Sequence, residues 1–460
     1  MLSENEVWRF DASYFLREDI RRLRMLIALD HTRLGDECYV TDGIHTSIDF
    51  EEGSGIKVIS AKHPKDGFLD LRIVEEISAA SHEANPRTAL KAGDVILSTV
   101  GTIGNAAVVQ SEVLPANSDR HVAIIRVRDK NRPIFPEYIS VFLNSSYGRM
   151  QSIRETTGNV QPNLFLEKIR DLKIPRFSEQ FEGQIAACSI HSIALRREAS
   201  GSLEIAESNL VAALGLADWT PPEPLAYAAR AADVFASGRF DAQYFMPAKE
   251  QVKQSLAALP GQLLSKRVDS IRDQWLPDRA LPTMRVRNYD VTDALVPLLD
   301  AEKEPSFAAD IGSMKKVFKD GDIAISRLRA YLKETAVVRT GDAIPSVGSS
   351  EFIVLRPKGA AISPETLMVF LRSAPVQTIL KWCQDGSQHP RFSENDLLAI
   401  PVPDALVDAS KGITKIVQDG FSARYRARKL LDAAKRAVEI AIEEGEPAAI
   451  AYLDRAEGEI

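Results

Sequence analysis

The residues best suited to engage a ligand lie in two turns and two loops that match one another. Gly101-Thr102-Ile103-Gly104-Asn105 is a glycine turn. Such a turn lets backbone approach whatever lies above it, and Thr99, Thr102 and Asn105 add short hydrogen-bonding side chains. At a shift of 228, the spacing from Gly93 to Gly321, the corresponding stretch is Arg327-Leu328-Arg329-Ala330-Tyr331-Leu332-Lys333. It has no glycine and sets three cations around an aromatic ring. Arginine is the side chain that forms bidentate contacts to guanine edges or phosphate. The loop Thr156-Thr157-Gly158-Asn159-Val160-Gln161-Pro162-Asn163 matches Asp385-Gly386-Ser387-Gln388-His389-Pro390-Arg391. Gln161, Asn163, Gln388, His389 and Arg391 there suit base edges and phosphates. Lys57, Lys62, Lys65 and Arg87 in the first copy, and Arg285, Arg287, Lys315 and Lys316 in the second, are ordinary surface charges when taken singly. As sets they make the electrostatic footprint of a polyanion reader. The plain alternatives are a ligand-free hairpin and a polar surface loop.

Enzyme chemistry finds no comparable support. The chain has no GxxxxGK[ST] phosphate loop, no GxGxxG after a strand and no GxSxG nucleophile elbow. A methyltransferase would need a glycine-rich cofactor turn and an Asn/Asp-Pro-Pro-aromatic motif, and neither occurs. The seven histidines share no metal-ligand spacing. The expectation is a binding protein without catalytic residues, cofactor or metal. A nuclease acting alone is the enzymatic alternative.

The elements that must position these residues come in two copies. Arg9-Phe10-Asp11-Ala12-Ser13-Tyr14-Phe15 returns as Arg239-Phe240-Asp241-Ala242-Gln243-Tyr244-Phe245. Gly93-Asp94-Val95-Ile96-Leu97-Ser98 returns as Gly321-Asp322-Ile323-Ala324-Ile325-Ser326, and the helix-like Pro136–Leu143 as Pro364–Leu371. Gly158, Pro162 and Pro175 recur as Gly386, Pro390 and Pro403. Such a fixed period marks a duplicated unit. Within it, Asp94–Ser98 and Ala106–Val109 predict strands around the glycine turn. His121–Val127, matched by Glu351–Leu355, predicts a third strand, and Pro136–Ser145 a helix begun by proline. Leu164–Leu172 predicts a short helix leading to the strand Leu172–Ile174.

A proline-free stretch follows each globule. Phe181, Ile185, Cys188, Leu195 and Ala199 fall on one helical seam, and Ala427, Leu431, Ala434, Val438 and Ala441 on another. Small residues on the second seam favour close approach, and Ser200-Gly201-Ser202 is a point where the first helix could kink or break. Two such helices packed antiparallel would carry the globules at opposite ends, as a ruler with two heads. The limits this predicts are 1–177 for the first globule, 178–238 for its helix and linker, 239–403 for the second globule and 404–460 for its helix and tail. The tail Glu446–Ile460 reads as a short helix.

The 460 residues are 45% apolar and 26% charged, which excludes disorder and fibrous classes. No apolar run reaches the ~20 residues of a membrane span and no signal peptide opens the chain. The three cysteines form no CxxC pair, so the expected location is cytoplasmic. The net charge of −7 is uneven: residues 178–238 hold 3 Lys+Arg against 8 Asp+Glu, whereas 239–403 hold 22 against 20. The globules are near neutral, with room for local basic surfaces.

Together these residues resemble the DNA-specificity subunit of type I restriction–modification systems. The resemblance rests on the duplicated Gly-Asp, three apolar residues, Ser pattern and on Thr157-Gly158-Asn159-Val160-Gln161-Pro162-Asn163-Leu164. Its most specific part is Leu172-Lys173-Ile174-Pro175-Arg176-Phe177-Ser178-Glu179-Gln180-Phe181-Glu182-Gly183-Gln184-Ile185, and it covers nearly the whole chain. It implies an α+β fold: two pseudo-symmetric mixed α/β target recognition domains joined by two long antiparallel coiled-coil helices. It implies a non-catalytic subunit that reads a split, asymmetric site in double-stranded DNA. The helices would set the gap and dock two adenine methyltransferase subunits, with Glu179, Gln180 and Gln184 as partner-binding residues and a restriction/translocase subunit as a further partner. The second copy ends Ile400-Pro401-Val402-Pro403-Asp404, without the Ser-Glu-Gln. The alternatives are a specificity subunit of another methyltransferase-based phage-defence system and a two-headed protein-interaction scaffold.

Overall fold

A computed structural model describes residues 12–128, 134–158 and 162–460. Arg9, Phe10 and Asp11 of the first repeated motif, and Gln161, lie outside the described residues. The Gly-Asp pair of each repeat shows how local sequence builds the frame. Gly93 and Gly321 adopt φ values of +85° and +79°, a left-handed turn that glycine enters without a Cβ clash. Each turn carries an aspartate into the interior: Asp94 is 1% exposed and Asp322 0%. Arg126 donates to Asp94 from Nε to Oδ1 at 2.7 Å and from Nη2 to Oδ2 at 2.6 Å, while the Lys91 N–H donates to Oδ2 at 2.8 Å. Arg356 and the Lys319 N–H serve Asp322 in the same way, at 2.7, 2.9 and 2.8 Å. A buried carboxylate is tolerated only when its charge is countered and its lone pairs are filled. Both conditions are met in both copies.

These forks pin a sheet. In the first copy β1 (Cys38–Asp42), β2 (Val95–Ser98), β3 (Ala106–Val108) and β4 (Val122–Val127) lie in the order β1-β4-β2-β3, all antiparallel. Arg126 on β4 thus reaches Asp94 at the start of β2. Strand pairing opposes Val95 to Ile125 and Leu97 to Ala123. Both sheet faces are buried. Val95, Leu97 and Ile125 join the core with α1 (Pro136–Asn144), and Ile96 and Ile124 pack with Ile59 and Leu90. Burial on both sides explains why β2 reads as a continuous apolar run and not an alternating one. The helix predicted over Pro136–Ser145 ends at Asn144, because Ser145 caps a second helix, α2 (Ser146–Arg154), by accepting from the Gly148 N–H at 3.3 Å.

The second copy repeats the order. β5 (Val268–Ile271), β7 (Ile323–Ser326), β8 (Thr335–Val338) and β9 (Phe352–Pro357) give β5-β9-β7-β8, and the short β6 (Leu298–Leu299) adds a parallel fifth strand beside β8. The helix pair of this copy is Pro364–Arg372 and Ala374–Cys383. Each copy also carries a second sheet, of three strands in the first and five in the second among the described residues. These sheets hold the regions in which the two copies diverge.

The helix Glu179–Ala213 has 35 residues and Ala405–Glu444 has 40. At ~1.5 Å per residue they are roughly 52 and 60 Å long. The first runs unbroken through Ser200-Gly201-Ser202, since three unfavourable residues cost little within a long, packed helix. The tail forms a helix over Glu446–Glu459. Compactness does not follow the repeat: one unit comprises 1–197 with 424–460, the other 198–423. Each long helix is therefore shared between units. In the first unit Ser192 Oγ donates to Ala427 O at 2.6 Å and the Ser178 N–H to Glu446 at 2.8 Å, so the helical segments run antiparallel. In the second unit a Cβ at Gly420 would lie 2.9 Å from Ser202 Cβ, so glycine permits the close approach. The helix partner of each globule comes from the other repeat. Glu439 accepts from the Ser146 N–H at 2.8 Å, and Glu207 from the Ala374 N–H at 3.0 Å.

The fork yields a prediction. Arg126→Met, which leaves Asp94 buried and unpaired, lowers unfolding free energy by about 3–5 kcal/mol in urea denaturation. Arg126→Met combined with Asp94→Asn loses distinctly less, because no charge is stranded. Equal losses in the two variants would show that the fork does not hold the sheet.

Candidate nucleic-acid interface

In the second unit a fixed hydrogen-bond frame holds the turn between β7 and β8 against the loop Asp385–Arg391. Ser326 N–H donates to Glu334 O at 2.9 Å and closes the turn. Arg327 N–H donates to Glu351 O at 3.0 Å, Arg329 N–H to Pro390 O at 3.1 Å and Phe392 N–H to Arg327 O at 3.2 Å. Asp385 and Arg391 exchange two backbone bonds of 2.8 Å at the neck of the loop. The side chains follow the frame. Arg391 forks onto Glu351, Nη2 to Oε1 at 2.7 Å and Nε to Oε2 at 3.1 Å. That hydrogen bonding, with the nearby charges of Arg391, Arg327 and His389, holds the Glu351 carboxyl below its usual range against the opposing effect of burial. Arg327 Nε lies 4.0 Å from the same carboxylate, and Arg329 Nη2 lies 3.4 Å from His389 Nδ1.

Arg327, Arg329, His389 and Arg391 thus converge, and Gln388 is exposed on the same loop. Tyr331 is 63% exposed, a ring free to stack. Lys333 instead points to Glu207 on the long helix at 3.4 Å. Arg329 and Lys333 have φ values of +42° and +53°, the non-glycine residues with positive φ among those described. Left-handed backbone costs an ordinary residue about 1–2 kcal/mol, and such strain collects at functional sites.

The first unit has the same frame. Thr99 N–H donates to His121 O at 3.1 Å, Leu164 N–H to Thr99 O at 3.0 Å and Ser98 N–H to Asn105 O at 2.9 Å. Bridges join Val100 to Asn163 and Leu328 to Arg391 at one shift. Gly101 and Gly104, at φ +70° and +86°, are the left-handed residues of this turn, as Arg329 and Lys333 are of the second, which is one residue longer between its strands. Here the short polar side chains are engaged by the protein itself. Thr99 is buried at 5% exposure, Thr102 Oγ1 donates to Ala61 O at 3.0 Å, and Asn105 Nδ2 to Pro64 O at 3.3 Å. They fasten the loop that carries Lys62 and Lys65, so their contribution is positional. A Cβ at Gly101 would meet nothing within 4 Å, which leaves the turn open above.

The remaining candidates scatter. Lys57 is half-buried in a strand, and exposed Lys62 lies 3.5 Å from Glu75. Arg87 is tethered to Asp42, Nη1 to Oδ1 at 3.1 Å. Exposed Arg285 covers the Phe307 ring at 4.8 Å. Arg287, 2% exposed, forks onto Asp342 at 3.0 and 2.9 Å and also donates to Lys303 O at 2.8 Å. A guanidinium so committed holds the second sheet together and presents no donor to a ligand. Sequence reasoning overlooked Glu351 and Glu207, whose acidic character gave no signal of their place beneath the cations. Glu179 and Gln180 are exposed in the first turn of their helix, and Gln184 is half-buried. Ser178 caps that helix by accepting from the Phe181 N–H at 3.2 Å. Among the described residues no cluster of three or more His, Cys, Asp or Glu could hold a metal ion, and no helix is long and apolar enough to cross a membrane.

No protein-family model and no curated protein matches the chain. Similar solved structures include three that cover nine-tenths or more of the chain. The type I restriction–modification system S subunit from M. genitalium is 11% identical, with 92% of this chain and 96% of that one covered and a TM-score of 0.35. The HsdS subunit from Thermoanaerobacter tengcongensis is 15% identical, with 90% and 97% covered and a TM-score of 0.28. A chain from a structure of the type I R-M system, concerned with complex assembly and conformational transition, is 16% identical, with 93% and 97% covered and a TM-score of 0.27. At TM-scores below 0.5 these are likenesses only, and the functional reading rests on the repeat and its two turns.

Proposed function

We propose that the protein is the non-catalytic DNA-specificity subunit of a type I restriction–modification complex. One observation carries this reading: the chain builds one hydrogen-bonded frame twice and equips it differently. Paired glycines and an open turn occupy the first frame, and Arg327, Arg329, Tyr331 and Arg391 the second. A scaffold duplicated for strength would have no reason to exchange glycines for strained cations at the left-handed positions of its turn. A reader of two unlike half-sites does. Arg327 and Arg329 supply donors for base edges or phosphates, and Tyr331 supplies a stacking face.

In this reading each unit binds one half of a split site in double-stranded DNA. The long helices set the gap and dock adenine methyltransferase subunits, with Glu179 and Gln180 as exposed contacts and Gln184 beside them. A restriction/translocase subunit joins where the system contains one, and the complex works in the cytoplasm. Reading and chemistry are divided: this chain binds and orients, and the methyl transfer belongs to the partner.

Three outcomes follow. Methylome sequencing of a host with and without the gene will show one bipartite motif that loses methylation in its absence. Loss of no split motif would refute the assignment. Arg329→Gly relieves the left-handed strain and raises stability by up to about 1 kcal/mol, yet weakens binding to the second half-site by about 1–3 kcal/mol if the guanidinium contact is bidentate. A stabilised variant with unchanged half-site affinity removes Arg329 from the interface. Inserting one heptad into both long helices changes the gap in the methylated motif and leaves both half-site sequences intact. An unchanged gap would deny the helices their role as spacer.

A further inference from the structure

The glycine turn of the first unit offers a base little to meet. Thr99 is buried, and Thr102 and Asn105 donate to backbone carbonyls. The space above Gly101 is open, so a side chain that reaches into it has to come from the turn's neighbours. His121, the residue that leads into β4, is such a neighbour. Its carbonyl accepts from the Thr99 N–H at 3.1 Å.

The imidazole of His121 is held in one orientation. Asp119 Oδ1 accepts from the His121 N–H at 2.9 Å, and Oδ2 lies 3.0 Å from Nδ1. An ionised carboxylate can only accept, so Nδ1 carries the ring proton in that contact. In the neutral ring Nε2 is then left with its lone pair. The aspartate is anchored in turn: its N–H donates to Ile59 O at 2.9 Å, and its backbone bridges to Ile44. The side chain of His121 is 42% exposed and that of Asp119 18%. A histidine open to solvent is thus aimed by a carboxylate that is mostly covered.

The second unit uses the same place differently. Glu351 stands before β9 as His121 stands before β4, and its carbonyl accepts from the Arg327 N–H at 3.0 Å. Ser349 Oγ accepts from the Glu351 N–H at 3.3 Å, as Asp119 does from His121. The backbone device recurs, but serine has no second oxygen with which to hold a side chain. There Glu351 turns to Arg391 and orders a cation of the candidate surface. In the first unit Asn163 stands in place of Arg391. The acid now lies at position 119 and orders the histidine instead. At this corner each unit therefore uses one carboxylate to aim one polar side chain. Arg120, between Asp119 and His121, is exposed, a cation suited to a phosphate that flanks the base.

We propose that His121 reads a base of the first half-site: Nε2 accepts a hydrogen bond from an exocyclic amino group, adenine N6 or cytosine N4, in the major groove. Asp119 is its positioning residue and fixes the tautomer that makes Nε2 an acceptor. The proposal rests on the DNA-binding reading above.

The test is methylome sequencing of a host that carries the full-length chain with its own partners, as parent, H121A or D119N. H121A is expected to keep the gap and one half-site and to relax the other at one position. Discrimination there falls by about 5- to 10-fold, the scale of a single hydrogen bond. In D119N the amide oxygen stays on the His121 N–H, which can only donate, and the amide N–H turns to Nδ1. Nε2 then becomes the donor. The same position is expected to switch its preference to a base acceptor, guanine O6 or N7 or thymine O4, a switch that mere support of the fold would not produce. A parental motif in H121A overturns the proposal, and a uniform drop in methylation without a change of base assigns His121 to a phosphate. A change in both half-sites or in the gap overturns it as well. Should H121A methylate no site, D119N decides: a switched base at one position sustains the proposal. A parental motif in D119N, or no methylation there either, assigns the pair to holding the fold and overturns it. A parent that methylates no split motif refutes the DNA reading itself, a separate result.

Discussion

Each globule depends on a buried carboxylate forked by an arginine. Asp94 and Asp322 are almost wholly excluded from water, and each accepts from one guanidinium and one backbone N–H. The pairing ties the start of the central strand to its neighbour across the sheet and fixes their register. Register matters because a one-residue slip would exchange the two sides of the sheet, and each side serves a different core. One side meets the helices and the other meets the second sheet. The turn that leaves β2 or β7 inherits its position from this fork.

On that rigid base the two turns can differ without disturbing the fold. Their backbone bonds recur in kind, with the second turn one residue longer, while the left-handed positions change from Gly101 and Gly104 to Arg329 and Lys333. The frame over-determines the backbone enough to hold two non-glycine residues in left-handed conformations, the condition under which local strain persists. Glu351 adds a second level of order. By fixing Arg391 and lying close to Arg327, it arranges cations that would otherwise repel one another into a single surface.

Much of this was legible in the residues. The Gly-Asp pair, the proline that opens Pro136–Asn144 and the apolar runs of the strands are local signals, and the elements they predicted appear with shifts of one or two residues. The second helix of the first copy was not legible, because Ser146–Arg154 carries little apolar periodicity and owes its place to Ser145 and Glu439. The roles of the candidate polar residues were legible only in part. Thr102, Asn105 and Arg287 have ligand-binding chemistry, but neighbours distant in sequence take up their donors.

By itself the sequence determined that the chain is one unit written twice, since a fixed shift needs no coordinates, and that the two turns differ in chemistry. Tertiary structure alone decided which parts belong together. The compact units divide each long helix, so Glu439 serves the first globule and Glu207 the second. The physical reason is that a helix seam of small and apolar residues specifies burial but not a partner. Antiparallel packing brings the far end of each helix to the other copy's globule, and no periodicity along a single strand of sequence encodes that choice.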